Sequence, residues 1–296
     1  MPTELSKGTL FDPKLVTDLI TKVKGKSSLA VLSNQTPIPF NGLKEFIFTM
    51  DSEVDVVAEN GKKTHGGISL EPVKIVPIKV EYGARISDEF LYASEEEKID
   101  ILKSFNDGFA IKLARGLDIM AFHGVNPRTG SASNVIGDNH FDSKVTQKVE
   151  FDAAAANDNI EDAVELLTAN EYTPSGMAMA PTMRSALAKL KDGNGRKLYP
   201  ELAWGATPSS LNGLSVDTNP TVSANSNKDR AIIGDFASAF KWGYAKQIPM
   251  EIIKYGDPDN SGKDLKGYNQ VYLRAEAYLG WGILDPKAFS RVTDEA

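Results

Sequence analysis

Apolar residues recur every three or four positions between Ser94 and Gly124, which predicts a long amphipathic helix. Ser94 and Glu97 have the spacing of a capping box, and Gly124 can end the helix in the left-handed conformation. Gly108 and Gly116 each weaken such a helix by about 1 kcal/mol relative to alanine, so we expect close packing against another element to offset them. The apolar stripe consists of Ile99, Leu102, Phe105 or Asn106, Phe109, Leu113 and Leu117.

Two β-rich runs in the first third of the chain predict a long hairpin. Residues 45–59 form the outgoing run, residues 68–80 form the returning run, and the glycine-rich residues 60–67 form a flexible tip. Pro72 and Pro77 cannot donate ladder hydrogen bonds, which marks the returning run as an edge. Because a two-stranded ribbon is marginally stable in water, we expect another surface to support this one.

Residues 1–43 have short apolar clusters and predict an arm with little core of its own. A short helix is expected over residues 15–23, while Pro37 and Pro39 favour extended backbone. An arm without a core is either disordered or ordered by a partner. We expect most of this one to lie on a neighbouring surface.

The second half of the chain interleaves short helices and strands without a regular repeat, which favours an irregular α+β fold. A helix is expected near residue 160, capped by Asn157 or Asp158. Further segments predict, in order, a strand with a proline-initiated helix (GMAMAPTMRSALAKLKD), a strand with a glycine kink (LNGLSVDTN), more strands (AIIGDFASAFKWGY and QIPMEIIKY) and a long closing strand (NQVYLRAEAYLGWGILDPKAFSRV).

Residues 189–200, KLKDGNGRKLYP, predict a sharp turn from a helix into an aromatic strand. Gly193 and Gly195 supply positions with positive φ, which such a turn requires. A phosphate cradle is the alternative. The segment lacks both the third glycine of a dinucleotide motif and the Gly-Lys-Ser/Thr ending of a P-loop, and it follows a helix instead of a strand. A plain turn is therefore the better interpretation.

Three features together resemble the HK97-type major capsid proteins of tailed bacteriophages. They are the KLKDGNGRKLYP turn, the H-G-x-N-P-x-T-G turn after the long helix, and the order of elements over nearly the whole chain. The resemblance implies an α+β capsid fold with five parts. They are an N-terminal arm (1–43), an extended E-loop hairpin (44–82), a P-domain with a spine helix (83–150), a compact A-domain (151–256) and return strands of the P-domain (257–296).

The resemblance implies a structural role in the virion, without catalysis or a cofactor. Identical copies would form hexamers and pentamers of an icosahedral shell around double-stranded DNA, after assembly in the host cytoplasm. Expected partners are a portal, decoration proteins and, unless a precursor segment is removed, a separate scaffolding protein. Glu59, Lys62, Lys63 and His65 would be intersubunit contacts at the E-loop tip.

Composition narrows the possible chemistry. The chain has 296 residues, a net charge of −7 and no cysteine, so disulfides, thiolate metal sites and cysteine nucleophiles are excluded. The acidic balance disfavours tight electrostatic binding of nucleic acid, so we expect only non-specific contact with packaged DNA. Neither a signal peptide nor a membrane-spanning segment is expected, and no membrane is an expected partner.

The three histidines, His65, His123 and His140, match neither the zincin spacing nor a nearby G-x-S-x-G motif. Each would lack the orienting partner that acid–base catalysis requires, so we assign them structural or solvated roles. No catalytic residue is therefore predicted.

The segment DPDNSGKDLKG provides the best candidate for a metal site. Asp257, Asp259, Ser261 and Gly262 occupy positions one, three, five and six of an EF-hand-like loop, but the twelfth position is Tyr268 instead of glutamate. Strands instead of helices are expected on both sides. A polar hairpin turn is favoured over a calcium site, and no metal is predicted.

Some HK97-type shells cross-link an E-loop lysine to an asparagine of another subunit with the help of a glutamate. Lys62 and Lys63 lie in the matching tip. Counting back from Glu276 puts Tyr268 at the asparagine position, with Asn269 one residue off, and Ala275 at the glutamate position. We therefore expect no autocatalytic cross-link.

Two alternative functions remain at this point. An encapsulin-like shell would keep the fold and enclose an enzyme cargo in a bacterium. A soluble hydrolase that uses unmarked carboxylates would be a monomer or small oligomer, because it needs no shell.

Overall fold

Three β-sheets, one long helix and several short helices make up the described part of the chain, residues 27–50, 52–92 and 94–294 of the computed structural model. The helices are α1 (Ser28–Leu32), α2 (Glu95–His123), α3 (Phe141–Lys144), α4 (Ala156–Thr168) and α5 (Pro181–Leu187). The strands are β1 (Leu43–Met50), β2 (Ile68–Ile75), β3 (Ile78–Ser87), β4 (Lys148–Glu150), β5 (Gly176–Met179), β6 (Ser210–Leu211), β7 (Leu214–Thr218), β8 (Asp229–Gly234), β9 (Phe240–Ile253), β10 (Gln270–Ile283) and β11 (Phe289–Thr293).

The strands form a two-stranded ribbon and two larger sheets. The ribbon is β1–β2, the second sheet has the order β3-β10-β9, and the third has the order β4-β11-β8-β5-β7-β6. In the six-stranded sheet, β4 runs parallel to β11 and β5 parallel to β7, while the other pairs are antiparallel. This mixed arrangement confirms the expected α+β class.

The spine helix α2 forms as its end signals predict. Ser94 accepts a hydrogen bond from the backbone of Glu97, the Glu97 side chain returns one, and Gly124 ends the helix at φ +66°. Leu102, Phe109, Leu113 and Leu117 of the expected stripe are buried, whereas Ile99 stays exposed. The expectation of close packing at Gly108 is wrong within the described chain, because an added Cβ there would meet nothing within 4 Å.

The hairpin is shorter than the sequence indicates. β1 and β2 pair from Leu43 opposite Ile75 to Met50 opposite Ile68. The returning run divides at Pro77, and its last residues start β3, which pairs with β10. Proline lacks the N–H that would continue the ladder, so the chain changes sheets at this position.

Residues 27–42 pack against the chain's own body, so the expectation of a neighbouring surface is wrong for this part of the arm. Leu29 and Ile38 are buried in the chain's own body, and the Thr36 N–H donates to Trp242 O at 2.8 Å. An added Cβ at Gly243 would lie 1.8 Å from Thr36 O, so only glycine allows this close approach. The helix expected over residues 15–23 lies outside the described residues.

The turn at residues 189–200 differs in detail from its prediction. Of the two glycines only Gly195 has positive φ, at +79°. Asp192 Oδ1 accepts hydrogen bonds from the backbone N–H groups of Asn194 and Arg196 and so closes the turn. A 3-10 helix (Pro200–Gly205) follows in place of an aromatic strand.

Three further expectations about the second half need correction. The segment around Asn212 and Gly213 is a hairpin instead of a kinked strand, because both residues take positive φ, as an Asn-Gly turn favours. α4 has Ala155 as its N-cap with no side-chain cap, and Asn159 Oδ1 instead accepts from the Asp152 N–H at 2.8 Å. The long closing strand is two strands, and β11 lies in the six-stranded sheet.

Two main apolar cores hold these elements. One lies between α2 and the sheets and includes a cluster of aromatic rings, Phe122, Phe141, Phe236, Phe240 and Phe289. The other lies between the six-stranded sheet and helices α4 and α5. Within the described ranges, no helix combines the length and apolar character needed to cross a bilayer.

Candidate assembly surfaces and a buried ionic junction

One face of the β1–β2 ribbon is apolar and exposed. Directly opposed residues of an antiparallel pair share a face, so the pairs Phe46–Pro72 and Met50–Ile68, with Leu70 between them, lie on the same side. Phe46, Met50, Ile68 and Leu70 are each more than half exposed. A face of this kind on a protein surface marks an interaction site.

Among the described contacts, the ribbon touches the rest of its own chain only near its base. Ile75 is buried against β10, where an added Cβ at Gly282 would lie 2.7 Å from the Ile75 side chain. Lys241 Nζ on β9 lies 2.7 Å from Glu45 Oε1. These contacts fix the direction of the ribbon and leave its apolar face uncovered.

The tip of the hairpin, residues 52–67, carries the four contact residues predicted from sequence. Glu59, Lys62, Lys63 and His65 are all exposed there. Thr64 Oγ1 donates to Asp55 Oδ2 at 2.7 Å across the tip. The tip therefore presents both signs of charge, while the contact role itself stays a prediction.

Asp118 of α2 is a fully buried carboxylate that caps helix α1. It accepts hydrogen bonds from the Ser28 N–H at 2.9 Å, the Leu29 N–H at 3.3 Å and the Ser27 hydroxyl. Thr221 Oγ1 donates at 2.7 Å to Oδ2, the oxygen that also accepts from the Ser28 N–H. Burial raises the pKa of Asp118 to about 6, although the hydrogen bonds oppose that shift by favouring the charged form.

His123, one turn further along α2, lies between two hydrogen-bond acceptors. Its Nδ1 is 2.9 Å from Asp142 Oδ2, and its Nε2 is 2.9 Å from Thr221 O. An ionised carboxylate and a carbonyl can only accept, so this arrangement favours the form of the ring with protons on both nitrogens, the imidazolium. Burial lowers the pKa of His123, but the hydrogen bond and charge of Asp142 outweigh it, and the net shift is upward.

Arg291 of β11 contacts both Asp142 and Asp229. Together with His123, these residues form the ionic junction. Its Nη2 lies 2.9 Å from Asp229 Oδ1 and 3.2 Å from Asp142 Oδ1, and its Nη1 donates to Asp142 O at 2.9 Å. Burial raises the pKa of Asp229 to about 7; Arg291 opposes this shift and the neighbouring Asp142 adds to it. The pKa of Asp142 is lowered, because its pairing with His123 and Arg291 overcomes the effect of burial.

His123, Asp142 and Asp229 each place a potential ligand atom within 4.8 Å of the others, which is a geometry that could hold a metal ion. Arg291 already supplies positive charge to both carboxylates, and His123 directs both ring nitrogens at acceptors. The chain's own side chains thus balance the charge of the cluster.

The expectation that His123 lacks an orienting partner is wrong, since Asp142 provides one. The ionic junction joins helix α2, helix α3, strand β8 and strand β11. Its residues are distant in sequence and form no spaced motif, so nothing in the linear pattern signals it.

The EF-hand-like segment is the loop of a hairpin, because it joins the antiparallel neighbours β9 and β10. The Arg85 guanidinium lies inside it, 2.7 Å from Asp257 Oδ1, 2.5 Å from Asp259 Oδ1 and 2.6 Å from Ser261 Oγ. Hydrogen bonding to Arg85 lowers the pKa of Asp259. An arginine therefore provides the cation for these carboxylates.

The candidate cross-linking positions differ in their exposure to solvent. Lys62 and Lys63 are exposed in the hairpin tip, Tyr268 and Asn269 are exposed before β10, and Ala275 is buried. Glu276 is also buried, and its Oε1 lies 2.6 Å from Lys79 Nζ of the neighbouring strand β3.

Comparisons with known proteins agree with this architecture. The model of the phage capsid family matches residues 7–294. A solved structure from Mycobacterium phage Ogopogo is similar at 32% identity, covering 90% of this chain and 92% of that chain with a TM-score of 0.77. One from Gordonia phage Cozz is similar at 26% identity, covering 90% and 86% with a TM-score of 0.75.

A more distant solved structure shares the fold alone. The capsid of an empty GTA particle is 16% identical, covers 92% of this chain and 97% of that chain, and has a TM-score of 0.65. No curated protein matches the chain. The family match over nearly the whole length, the relative at 32% identity and the fold together show that this chain belongs to the phage capsid family, as a shell protein with the HK97-type fold.

Proposed function

We propose that copies of this chain assemble as hexamers and pentamers into an icosahedral shell that encloses the double-stranded DNA of a tailed phage. The observation that carries the proposal is the exposed apolar face of the β1–β2 ribbon. Fully burying one Leu, Ile, Phe or Met side chain contributes roughly 1.5–3 kcal/mol, so this face leaves a large stabilisation unused in the single chain. A second copy that covers it supplies that stabilisation.

The hairpin tip extends this contact. Glu59, Lys62, Lys63 and His65 would meet polar groups of the same neighbour beyond the apolar face. Exposed ion pairs contribute about 0–1 kcal/mol each, so the tip determines alignment more than affinity. Repetition around closed symmetry axes turns such modest contacts into a stable shell.

The proposal includes partners that a shell of this kind requires. Each contact between copies is local and does not by itself determine the size of a closed shell, so a scaffolding protein would set the curvature in the host cytoplasm. A portal and decoration proteins would occupy special positions. The net charge of −7 fits non-specific contact with packaged DNA. We propose neither catalysis nor a cofactor for this chain.

Two neighbouring substitutions on opposite faces of the ribbon test the proposal. Leu70→Asp puts a charge on the exposed apolar face, while Ser69→Asp puts the same charge on the other face. We expect the parent and Ser69→Asp to form closed particles in negative-stain microscopy and sedimentation, and Leu70→Asp to remain unassembled but folded. Particles formed equally well by Leu70→Asp, or a parent that stays a single chain under all conditions, would refute it.

A further inference from the structure

Trp204 is presented to solvent in full, unlike the other two tryptophans of the chain. Its exposure is 104%, against 0% for Trp242 and 2% for Trp281. Tryptophan is the side chain with the most apolar surface to bury, and tryptophans dominate the energetic centres of protein interfaces. A fully exposed one in the single chain therefore points to a contact outside it.

The loop that carries Trp204 is attached to the body of the protein. Tyr199 and Leu202 are buried beneath it, and Arg184 Nη1 donates to Gly205 O at 2.7 Å. Trp204 itself has φ +57°, a conformation that residues with a Cβ adopt at a cost in free energy. Strain of this kind persists where the surrounding structure imposes it, and it is concentrated at functional positions. The backbone contacts thus direct position 204 towards solvent.

We propose that Trp204 is the anchor by which the six-stranded sheet of one copy docks onto a second copy of this chain. The inference rests on the proposed shell function and adds a second contact to that of the hairpin. The loop leads directly into β6, the strand at the outer edge of the six-stranded sheet. A side chain at such an edge can reach a neighbour without displacing any of its own core.

The charges near this loop favour a second copy as the occupant. The turn before it carries exposed cations, and helix α4 of the same chain carries exposed carboxylates. The cations are Lys189, Lys191, Arg196 and Lys197, and the acids are Asp158, Glu161, Asp162 and Glu165. One copy therefore offers both partners of a charge-complementary contact.

The tryptophans themselves provide the test, because Trp204 alone of the three is accessible to a soluble quencher. Acrylamide should quench a large part of the emission of the unassembled protein, and Trp204→Phe should lose that part. Assembled particles of the parent should show strongly reduced quenching. If particles form and the accessible emission persists, Trp204 is not in a contact and the inference is wrong, while the shell function stands.

An assembly measurement provides a second test. Trp204→Ala removes an exposed side chain, so we expect an unchanged thermal midpoint in the unassembled protein. Hot-spot truncations cost enough to raise the concentration needed for assembly by about tenfold or more. An unchanged concentration would overturn the inference. If the parent forms no particles at all, the proposed function and this inference both fail.

Discussion

The carboxylate of Asp118 accepts a hydrogen bond from the backbone N–H of Ser28 at 2.9 Å, so the spine helix caps the first described turn of the chain. The two residues are 90 positions apart. This contact and its neighbours hold residues 27–29 of the N-terminal arm against the spine helix through a buried carboxylate. The capping arrangement therefore makes the stability of the arm's attachment depend on pH.

Substitution of Asp118 separates its hydrogen bonds from its charge. Asp118→Ala leaves the Ser28 N–H and the Thr221 hydroxyl buried without an acceptor, and we expect it to lower the unfolding free energy by several kcal/mol, at about 1–3 kcal/mol for each orphaned group. Asp118→Asn keeps the shape and an acceptor, so its loss should be smaller. Urea unfolding of the unassembled chain measures both; equal losses would contradict this view.

The pH dependence of the same group has a definite sign. The folded state keeps the Asp118 proton up to about pH 6, whereas the unfolded chain releases it near pH 4. The unfolding free energy therefore falls, by roughly 3 kcal/mol, as pH rises through that window. Asp118→Asn should lack this part of the fall. A variant with the same pH profile as the parent would show that another group causes it.

Arg291 should be the most costly side chain of the ionic junction to remove. Arg291→Met leaves the buried Asp229 without its cation and leaves Asp142 with His123 as its remaining cationic partner, and we expect the unfolding free energy to fall by about 3–5 kcal/mol. The loss should be smaller below pH 7, because Asp229, whose pKa is raised to about 7, is then protonated. Arg230→Met is the control, since it breaks an ion pair with the exposed Asp294 and should cost about 1 kcal/mol or less. Equal losses in urea unfolding would contradict the assignment.

Two glycine-to-alanine substitutions should act in opposite directions. Gly243→Ala places a methyl group against Thr36 O, so it should displace the segment before β1 and lower the thermal midpoint. Gly108→Ala meets nothing within 4 Å and should stabilise α2 by about 0.5–1 kcal/mol. Calorimetry of the unassembled chain measures both. Destabilisation by Gly108→Ala would show that the spine helix needs glycine there for another reason.

Charge reversal at the hairpin tip should weaken assembly without affecting the fold. Lys62→Glu combined with Lys63→Glu changes two exposed side chains, so the thermal midpoint should stay the same. We expect assembly at low salt to require roughly tenfold more protein, because each exposed pair contributes up to about 1 kcal/mol. The difference should shrink at high salt, as screened contacts do. Light scattering that shows parent-like assembly at low salt would exclude the tip as a contact.

Particles of this protein should fall apart into single chains on denaturing gels. Glu276 is held by Lys79 within the same chain, and the asparagine and glutamate positions of the cross-linking pattern do not match. No covalent bond between copies is therefore expected. A ladder of covalent oligomers from mature particles would show the opposite.

Local signals in the sequence predicted the elements whose ends depend on neighbouring residues. The capping box at Ser94 and the glycine at position 124 bound the spine helix because their hydrogen bonds lie within one turn of it. Pro181 likewise starts α5, where its missing N–H costs nothing. The hairpin, the spine helix and the interleaved helices and strands of the second half were predicted in order from similar local patterns.

Only the tertiary structure decided which distant groups meet. The cap of α1 joins residues far apart in the chain, and so does the ionic junction of His123, Asp142, Asp229 and Arg291. Strands β3 and β11 likewise pair with strands that are distant in sequence. Backbone periodicity carries no information about such pairings, because burial and charge balance depend on the packed three-dimensional arrangement. The sequence by itself determined the main elements, their order and the family, while packing determined where the buried charges lie and which apolar surfaces were left for other copies to cover.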